Sequence, residues 1–155
     1  MSMKIQKKRA IQLCTLFTGV ALVVASAQST MAQKPFFDRI KKVYDLKKEK
    51  NGSCKLCHTY DKAKDESPDK DNINAFGKEI KAVPAMKPLL GKDDDYKFTA
   101  ADLDIVEAAV KSLESKDTDG DGATNGEELR LGTFPADAKS TPTKEDLEKD
   151  RAAKK

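Results

Sequence analysis

Two cysteines and the only histidine of the chain stand together in the string Cys54-Lys55-Leu56-Cys57-His58. The C-x-x-C-H spacing predicts c-type haem attachment. Two thiols in this spacing add to the two vinyl groups on one porphyrin edge, and the next residue directs its imidazole at the iron. Cys54 and Cys57 are therefore the predicted covalent attachment residues of one haem c, and His58 is its predicted proximal axial ligand.

Three other uses of this string compete with haem attachment. A structural zinc site takes four ligands, usually in two separated pairs, and the sequence offers no second pair. A thioredoxin-like redox pair belongs in a βαβ setting, and no strand pattern is evident. A structural disulfide between Cys54 and Cys57 would give His58 no role. Haem attachment is the interpretation that uses all three side chains.

The string leaves the second axial ligand of the iron open. Met86 lies between Pro84 and Pro88, and prolines stiffen the backbone. A methionine in such a stiff segment suits an axial position, so Met86 is the predicted axial partner of His58. Met/His ligation would raise the reduction potential of the haem. The alternatives are a methionine that only packs in the core, a lysine ligand, or an open iron that binds NO or CO.

A second cluster, at residues 117–128, offers oxygen ligands. It fits the EF-hand calcium pattern D-x-[DN]-x-[DN]-G-x5-E at every defined position, and calcium takes six to eight oxygen ligands. A solvated acidic turn is the alternative, but four crowded carboxylates repel one another without a cation. The predicted ligands of one calcium ion are Asp117, Asp119, Asp121, the backbone carbonyl of Ala123, Asn125 and Glu128.

Amphipathic helices flank both clusters and must position them. Apolar residues recur at helical spacing over 36–44, before the first cluster, and over 72–80, after it. Thr99 begins a capping box at the start of the helix that enters the second cluster. Residues 127–131 form a short exit helix, and a solitary loop indicates a structural role for calcium. Because no strand pattern is convincing, the predicted fold class is mainly α.

The first 32 residues have the order of a secretory signal peptide. Four basic residues precede an apolar segment and then small residues, so cleavage is predicted after Ala27 or Ala32. An uncleaved anchor is the alternative, but the apolar run is shorter than the roughly twenty residues of a spanning helix. The predicted localisation is the periplasm or an equivalent extracytoplasmic compartment, with no membrane span after cleavage.

The net charge of +3 comes mostly from this export signal. Four of the 29 basic residues and none of the 26 acidic ones lie in it, so 25 basic and 26 acidic residues remain. This near-neutral remainder argues against nucleic acid as a partner. Lys47, Lys48, Lys50 and Lys55 favour an acidic redox partner, although a solvated helix face explains them as well.

The surroundings of the first cluster resemble the monohaem cytochromes c, over roughly residues 34–100. The C-x-x-C-H string followed by N-x-F-G-K at residues 74–78 is similar to small exported monohaem proteins of planctomycete-type bacteria, such as the NaxLS cytochromes of anammox metabolism. Those cytochromes have a distal Cys ligand, whereas this chain has no third Cys after the signal. The resemblance implies a small cytochrome c-like helical domain with a covalently bound haem, to which an EF-hand-type loop is appended.

The predicted organisation has four parts: a signal peptide at 1–32, a monohaem cytochrome c-like domain at 33–115, an EF-hand-like calcium loop with its exit helix at 116–135, and a charged tail at 136–155. The predicted function is the transfer of single electrons between redox partner proteins, by a monomer or a homo- or hetero-dimer. Enzyme catalysis is not expected, because there is no second histidine and no evident acid–base pair. The alternatives are a haem-based NO or CO binding or sensing protein, and a haem subunit of a larger redox complex.

Overall fold

The computed structural model describes residues 34–47, 50–60, 68, 71–92 and 96–154. The predicted signal peptide and Lys48 lie outside these residues. The described elements are five α-helices and two 3-10 helices, in the order α1 (Lys34–Tyr44), a 3-10 helix (Cys54–Leu56), α2 (Ala75–Ala82), a 3-10 helix (Pro84–Leu89), α3 (Ala100–Lys111), α4 (Asn125–Leu131) and α5 (Lys144–Ala153).

Helices α1 and α3 pack against each other through their apolar faces. Phe36 and Ile40 of α1 and Val106 and Val110 of α3 are all buried in one hydrophobic cluster. Arg39 borders this contact and pairs with Glu107 at 2.8 Å. The helical spacing of the apolar residues therefore predicted both the helices and the faces that they bury.

Helix α3 begins with the capping box that the sequence predicts. The Thr99 hydroxyl accepts a hydrogen bond from the Asp102 N–H at 3.2 Å, and the Asp102 carboxylate accepts one from the Thr99 N–H at 2.8 Å. Two backbone N–H groups without helical partners are satisfied in this way. The cap fixes where α3 starts and hence where it delivers the chain to the acidic cluster.

Helix α2 and the 3-10 helix that follows it complete the core around the first cluster. Phe76 is fully buried on α2, and Met86 and Leu89 are buried on the 3-10 helix. Pro84 stands in the first turn of that helix, where the missing N–H of proline costs nothing. These side chains share one hydrophobic cluster with Leu56, the buried residue of the C-x-x-C-H string.

The C-terminal residues form a helix that is fastened to the preceding one. Leu147 is the buried apolar residue of α5. Arg130 of α4 donates two hydrogen bonds to the Asp150 carboxylate, at 2.9 and 2.8 Å. Arg151 binds the Glu127 carboxylate in the same two-fold way, at 2.7 and 3.1 Å. Helix α5, within the predicted charged tail, is thus joined to α4 by two ion pairs.

The mainly α fold class is confirmed for the described part of the chain. The β pairing found there is an isolated antiparallel bridge between His58 and Ile73. None of the helices among these residues is long and apolar enough to cross a membrane.

Candidate functional site

The C-x-x-C-H string forms a short 3-10 turn on the protein surface. Leu56 is buried and anchors the turn, whereas Cys54 is exposed and Cys57 is half-buried. The Cys54 carbonyl accepts hydrogen bonds from the N–H groups of Cys57 and His58, at 3.2 and 3.0 Å. Both thiols are free. The turn therefore presents two unbonded thiols and an imidazole on one short, hydrogen-bonded segment.

Asn74 ties this turn to helix α2. Its side-chain N–H group donates to the carbonyls of Lys55 and Leu56, at 2.9 and 3.1 Å. Its side-chain oxygen accepts from the Gly77 N–H at 2.9 Å and caps the helix, and its backbone N–H donates to the Cys57 carbonyl at 3.0 Å. One asparagine thus fixes the turn and the start of α2 relative to each other.

Gly77 lets the two segments come this close. A Cβ atom at this position would lie 2.4 Å from the Cys57 carbonyl oxygen. Backbone atoms cannot yield to such a contact, so only glycine fits without displacing the turn. The N-x-F-G-K sequence at 74–78 therefore has a physical role here: a cap, a buried Phe76 and a close backbone approach, all directed at the first cluster.

A cavity of about 400 Å³ borders His58. Its size lies in the range of small-molecule and cofactor sites. The lining residues come from the turn, from the start of α2 and from the segment after α4: Lys55, His58, Thr59, Tyr60, Asn74, Phe134, Ala136 and Asp137. His58 is the only member of the predicted haem-binding set, Cys54, Cys57 and His58, among these lining residues, and a haem that Cys54 and Cys57 would tether and His58 would ligate stays a prediction.

The Cys57 thiol does not ionise readily in this structure. Burial, and to a lesser extent the neighbouring Cys54, raises the pKa of the Cys57 thiol to about 12. Reactive C-x-x-C pairs have a thiol whose pKa is lowered, because the thiolate is the nucleophile. Cys57 is therefore a neutral, half-buried thiol and not a nucleophile of this kind.

Met86 lies in the hydrophobic core. Its side chain is 1% exposed and belongs to the same cluster as Leu56 and Phe76. Among the described residues, those that line the cavity beside His58 do not include Met86. Ligation of the iron by Met86 stays a prediction, and in this structure the side chain fills core space.

The second cluster is a closed loop between α3 and α4. The Asp117 carboxylate accepts hydrogen bonds from the Gly120 N–H at 2.7 Å and from the Gly122 N–H at 3.0 Å. Gly122 has a φ of 93°, the left-handed conformation that glycine adopts without strain. The sharp turn that the sequence predicts at Gly122 is therefore present.

Carboxylate oxygens converge inside this loop. One oxygen each of Asp117, Asp119 and Asp121 lies within 4.8 Å of the others. Glu128 is fully buried, and the Asp119 Oδ2, Asp121 Oδ2 and Glu128 Oε2 atoms are buried without any hydrogen-bond partner. Buried carboxylate oxygens without a partner are unfavourable, and a bound cation would satisfy all three at once. A hard cation with oxygen ligands, such as calcium, fits this donor set.

The pKa values reflect the same crowding. Burial first, and then the charges of Asp119 and Asp121, raises the pKa of Glu128 to about 8. Burial and Asp121 also raise the pKa of Asp119. The ionised form of these groups is therefore unfavourable without a cation among them.

Asn125 and Ala123, the other two predicted ligands, are both buried. The Asn125 side chain accepts from the Thr118 N–H at 3.2 Å and donates to the Leu113 carbonyl at 3.0 Å. The Ala123 N–H donates to the Asp121 carboxylate at 2.8 Å. Asn125 thus closes the loop with both side-chain atoms, and its coordination of calcium stays a prediction.

Glu127 has a different role from its neighbour Glu128. It completes a capping box with Thr124 at the start of α4. The hydrogen bonds from Arg151 lower the pKa of Glu127 to about 2, and those from Thr124 add to this effect. Burial acts in the opposite direction but is outweighed. One of these adjacent glutamates therefore holds the helix and α5, and the other is buried near the carboxylates of the loop.

Two connections between the clusters were missed by the sequence analysis. The Asn51 side chain, just before the first cluster, donates to the carbonyls of Leu129 and Thr133, just after the second. The Thr118 hydroxyl in the loop donates to Glu79 of α2 at 3.0 Å. By its sequence, Asn51 before Gly52 is typical of a turn. Nothing in this local sequence indicates a contact with a distant segment. Both contacts depend on distant segments meeting in the fold.

Comparison with known proteins finds one similarity, which covers the second cluster. Residues 117–138 match the family described as the bacterial TSP3 repeat, a calcium-binding motif. The match extends past α4 and includes the segment that lines the cavity at Phe134, Ala136 and Asp137. No curated protein and no solved structure matches the chain.

Proposed function

We propose that this protein is an exported monohaem c-type cytochrome that carries single electrons between redox partners and has a structural calcium site. The observation that carries the haem assignment is the C-x-x-C-H turn, which presents two free thiols and places His58 beside a cavity of about 400 Å³. A bound haem would supply an iron that changes oxidation state by one electron.

The chain's own residues have definite roles in this proposal. Cys54 and Cys57 hold the group covalently, and His58 supplies the proximal nitrogen. Asn74 fixes the carbonyls of Lys55 and Leu56, between the two cysteines, so the two thiols and the imidazole keep one arrangement. Lys47, Lys50 and Lys55 are exposed near the turn and suit an acidic partner, since complementary charge steers association.

Intact-mass measurement of the exported, denatured protein tests the haem assignment. We expect the mass of the processed chain plus one haem, together with a c-type absorption spectrum that changes on reduction. Cys57→Ser should lose the thioether to that position, and Cys54→Ser combined with it should lose all covalent haem. Cys14→Ser is the matched control and should keep the haem. A native chain that carries no added mass would refute the assignment.

The calcium assignment rests on the three buried carboxylate oxygens that lack partners, together with the match to a calcium-binding repeat. Asp117, Asp119, Asp121 and Glu128 would bind the ion with their carboxylates, and Ala123 with its carbonyl. Titration calorimetry of the exported protein should show one calcium per chain. Absence of binding would refute this part of the proposal without affecting the haem.

A second candidate function, binding or sensing of NO or CO, is favoured by one observation. Met86 is buried in the core and is not among the described residues that line the cavity beside His58. An iron without Met86 would have an open position. Rapid binding of CO to the reduced protein favours this function, and a low-spin spectrum that CO leaves unchanged favours electron transfer. Size-exclusion of a cell extract distinguishes a free carrier from a haem subunit of a larger complex.

A further inference from the structure

The segment that carries the haem turn is joined to the calcium loop by one buried side chain. Asn51 is 1% exposed. Its side-chain N–H group lies 3.1 Å from the Leu129 carbonyl, 3.2 Å from the Thr133 carbonyl and 3.4 Å from the Glu128 carbonyl. Its side-chain oxygen is buried without a partner. Among the described residues, the polar contacts of this amide are therefore directed at the C-terminal half of α4 and at Thr133, two residues after it.

Glu128 contacts the acidic loop with its side chain and Asn51 with its backbone. Its carboxylate lies buried near Asp119 and Asp121, whose charges act on it. Its backbone carbonyl lies at the Asn51 amide and also accepts from the Gly132 and Thr133 N–H groups, at 2.8 and 3.0 Å. A cation that draws in the Glu128 carboxylate therefore fixes the residue whose backbone receives Asn51.

Asn51 in turn sets the path of the chain into the haem turn. Its own carbonyl accepts from the Ser53 N–H at 2.9 Å, and the Gly52 N–H donates to the Lys47 carbonyl at 2.7 Å. The Ser53 carbonyl then receives the Leu56 N–H at 3.0 Å. Hydrogen bonds made by Asn51 and Ser53 thus link Glu128 to the turn that presents the thiols.

A parallel connection runs through the other side of the loop. Thr118 donates to Glu79 of α2, and the same helix is capped by Asn74, which holds the carbonyls of the haem turn. Beyond α4, Phe134 lines the cavity beside His58. The calcium loop and the cavity therefore both adjoin α2 and the segment after α4. Ordering of the loop would affect the position of both elements.

We infer that Asn51 is a positioning residue that transmits calcium occupancy of the 117–128 loop to the haem attachment turn. Calcium bound by Glu128 orders α4, α4 holds the Asn51 amide, and Asn51 holds the turn. This inference rests on the calcium site of the proposed function, but it does not require a particular second axial ligand of the iron. Coupling between sites of this kind typically amounts to roughly five- to 150-fold.

Amide hydrogen exchange of the exported holoprotein, with calcium and with excess EGTA, tests the inference. In the wild type we expect calcium to slow exchange in residues 117–131 and also in 50–58, the latter by roughly tenfold. In Asn51→Ala we expect calcium to protect 117–131 as before and to protect 50–58 far less than in the wild type. Asn72→Ala, at an exposed asparagine, is the matched control and should keep both effects.

The outcomes separate the two proposals. If calcium protects neither segment, the calcium site is wrong and the coupling falls with it. If calcium protects 117–131 but not 50–58 in the wild type, the coupling alone is overturned, and this measurement needs no variant to fold. If Asn51→Ala keeps the calcium protection of 50–58, the coupling does not pass through Asn51. A chain with calcium-dependent protection but no haem mass refutes the haem assignment and leaves the coupling in place.

Discussion

Replacing the buried glutamate of the acidic loop should stabilise the calcium-free protein and remove most of the stabilisation that calcium gives. In EGTA, the wild-type Glu128 carboxylate is buried beside Asp119 and Asp121 with one oxygen unpartnered. Glu128→Gln removes a group that is costly to ionise there. We therefore expect the calcium-free variant to be more stable than the calcium-free wild type, by about 2 kcal/mol.

In saturating calcium this advantage of the variant should be lost. An ion present at a hundred times its dissociation constant stabilises the folded state by about 2.7 kcal/mol, which raises the melting temperature of a chain of this length by roughly 10 °C. Glu128→Gln loses the charged ligand at the closing position of the loop. Its melting temperature should therefore respond to calcium by less than about a third of the wild-type change.

Thermal unfolding of the exported holoprotein, followed by circular dichroism, measures both effects. The matched control is Glu127→Gln at the adjacent residue. Glu127 holds Arg151 and the helix cap, so its substitution should destabilise the protein equally with and without calcium. A wild-type melting temperature that ignores calcium, or a Glu128→Gln variant that is destabilised in EGTA, would refute the assignment of Glu128 to a cation.

Three further predictions address the haem turn, the core and the C-terminal helix. Gly77→Ala places a Cβ 2.4 Å from the Cys57 carbonyl, and we expect destabilisation of about 2 kcal/mol and a lower haem-to-protein absorbance ratio, whereas Lys78→Ala at the exposed next residue should change neither. Met86→Ala should destabilise the protein by about 3 kcal/mol through a core cavity; unchanged oxidised and reduced spectra would exclude Met86 as an axial ligand. Hydrogen bonds from Arg130 lower the pKa of Asp150, so its ionised form stabilises the folded state above the ordinary pKa of 3.8. Melting temperatures over a pH series should show Asp150→Asn below the wild type at neutral pH and equal to it once the pH falls well below 3.8; a constant difference at every pH would contradict this.

The sequence by itself determined the local features of this protein. Amphipathic spacing predicted α1 and α3 together with the faces that they bury, and the Thr99 capping box predicted where α3 begins. The glycine at position 122 predicted the sharp turn of the acidic loop. These features depend on residues a few positions apart, so the chain order alone is sufficient to read them.

Only the tertiary structure decided which distant groups meet. Asn51 reads as a turn residue, but its amide ends among carbonyls 77 to 82 positions later in the chain. Met86 is packed in the core, and α5, within the predicted charged tail, is held to α4 by arginine–carboxylate pairs. The physical reason is that a hydrogen-bond partner or a packing position far along the chain is chosen by how the helices pack. The spacing of residues within any one segment carries no record of that choice.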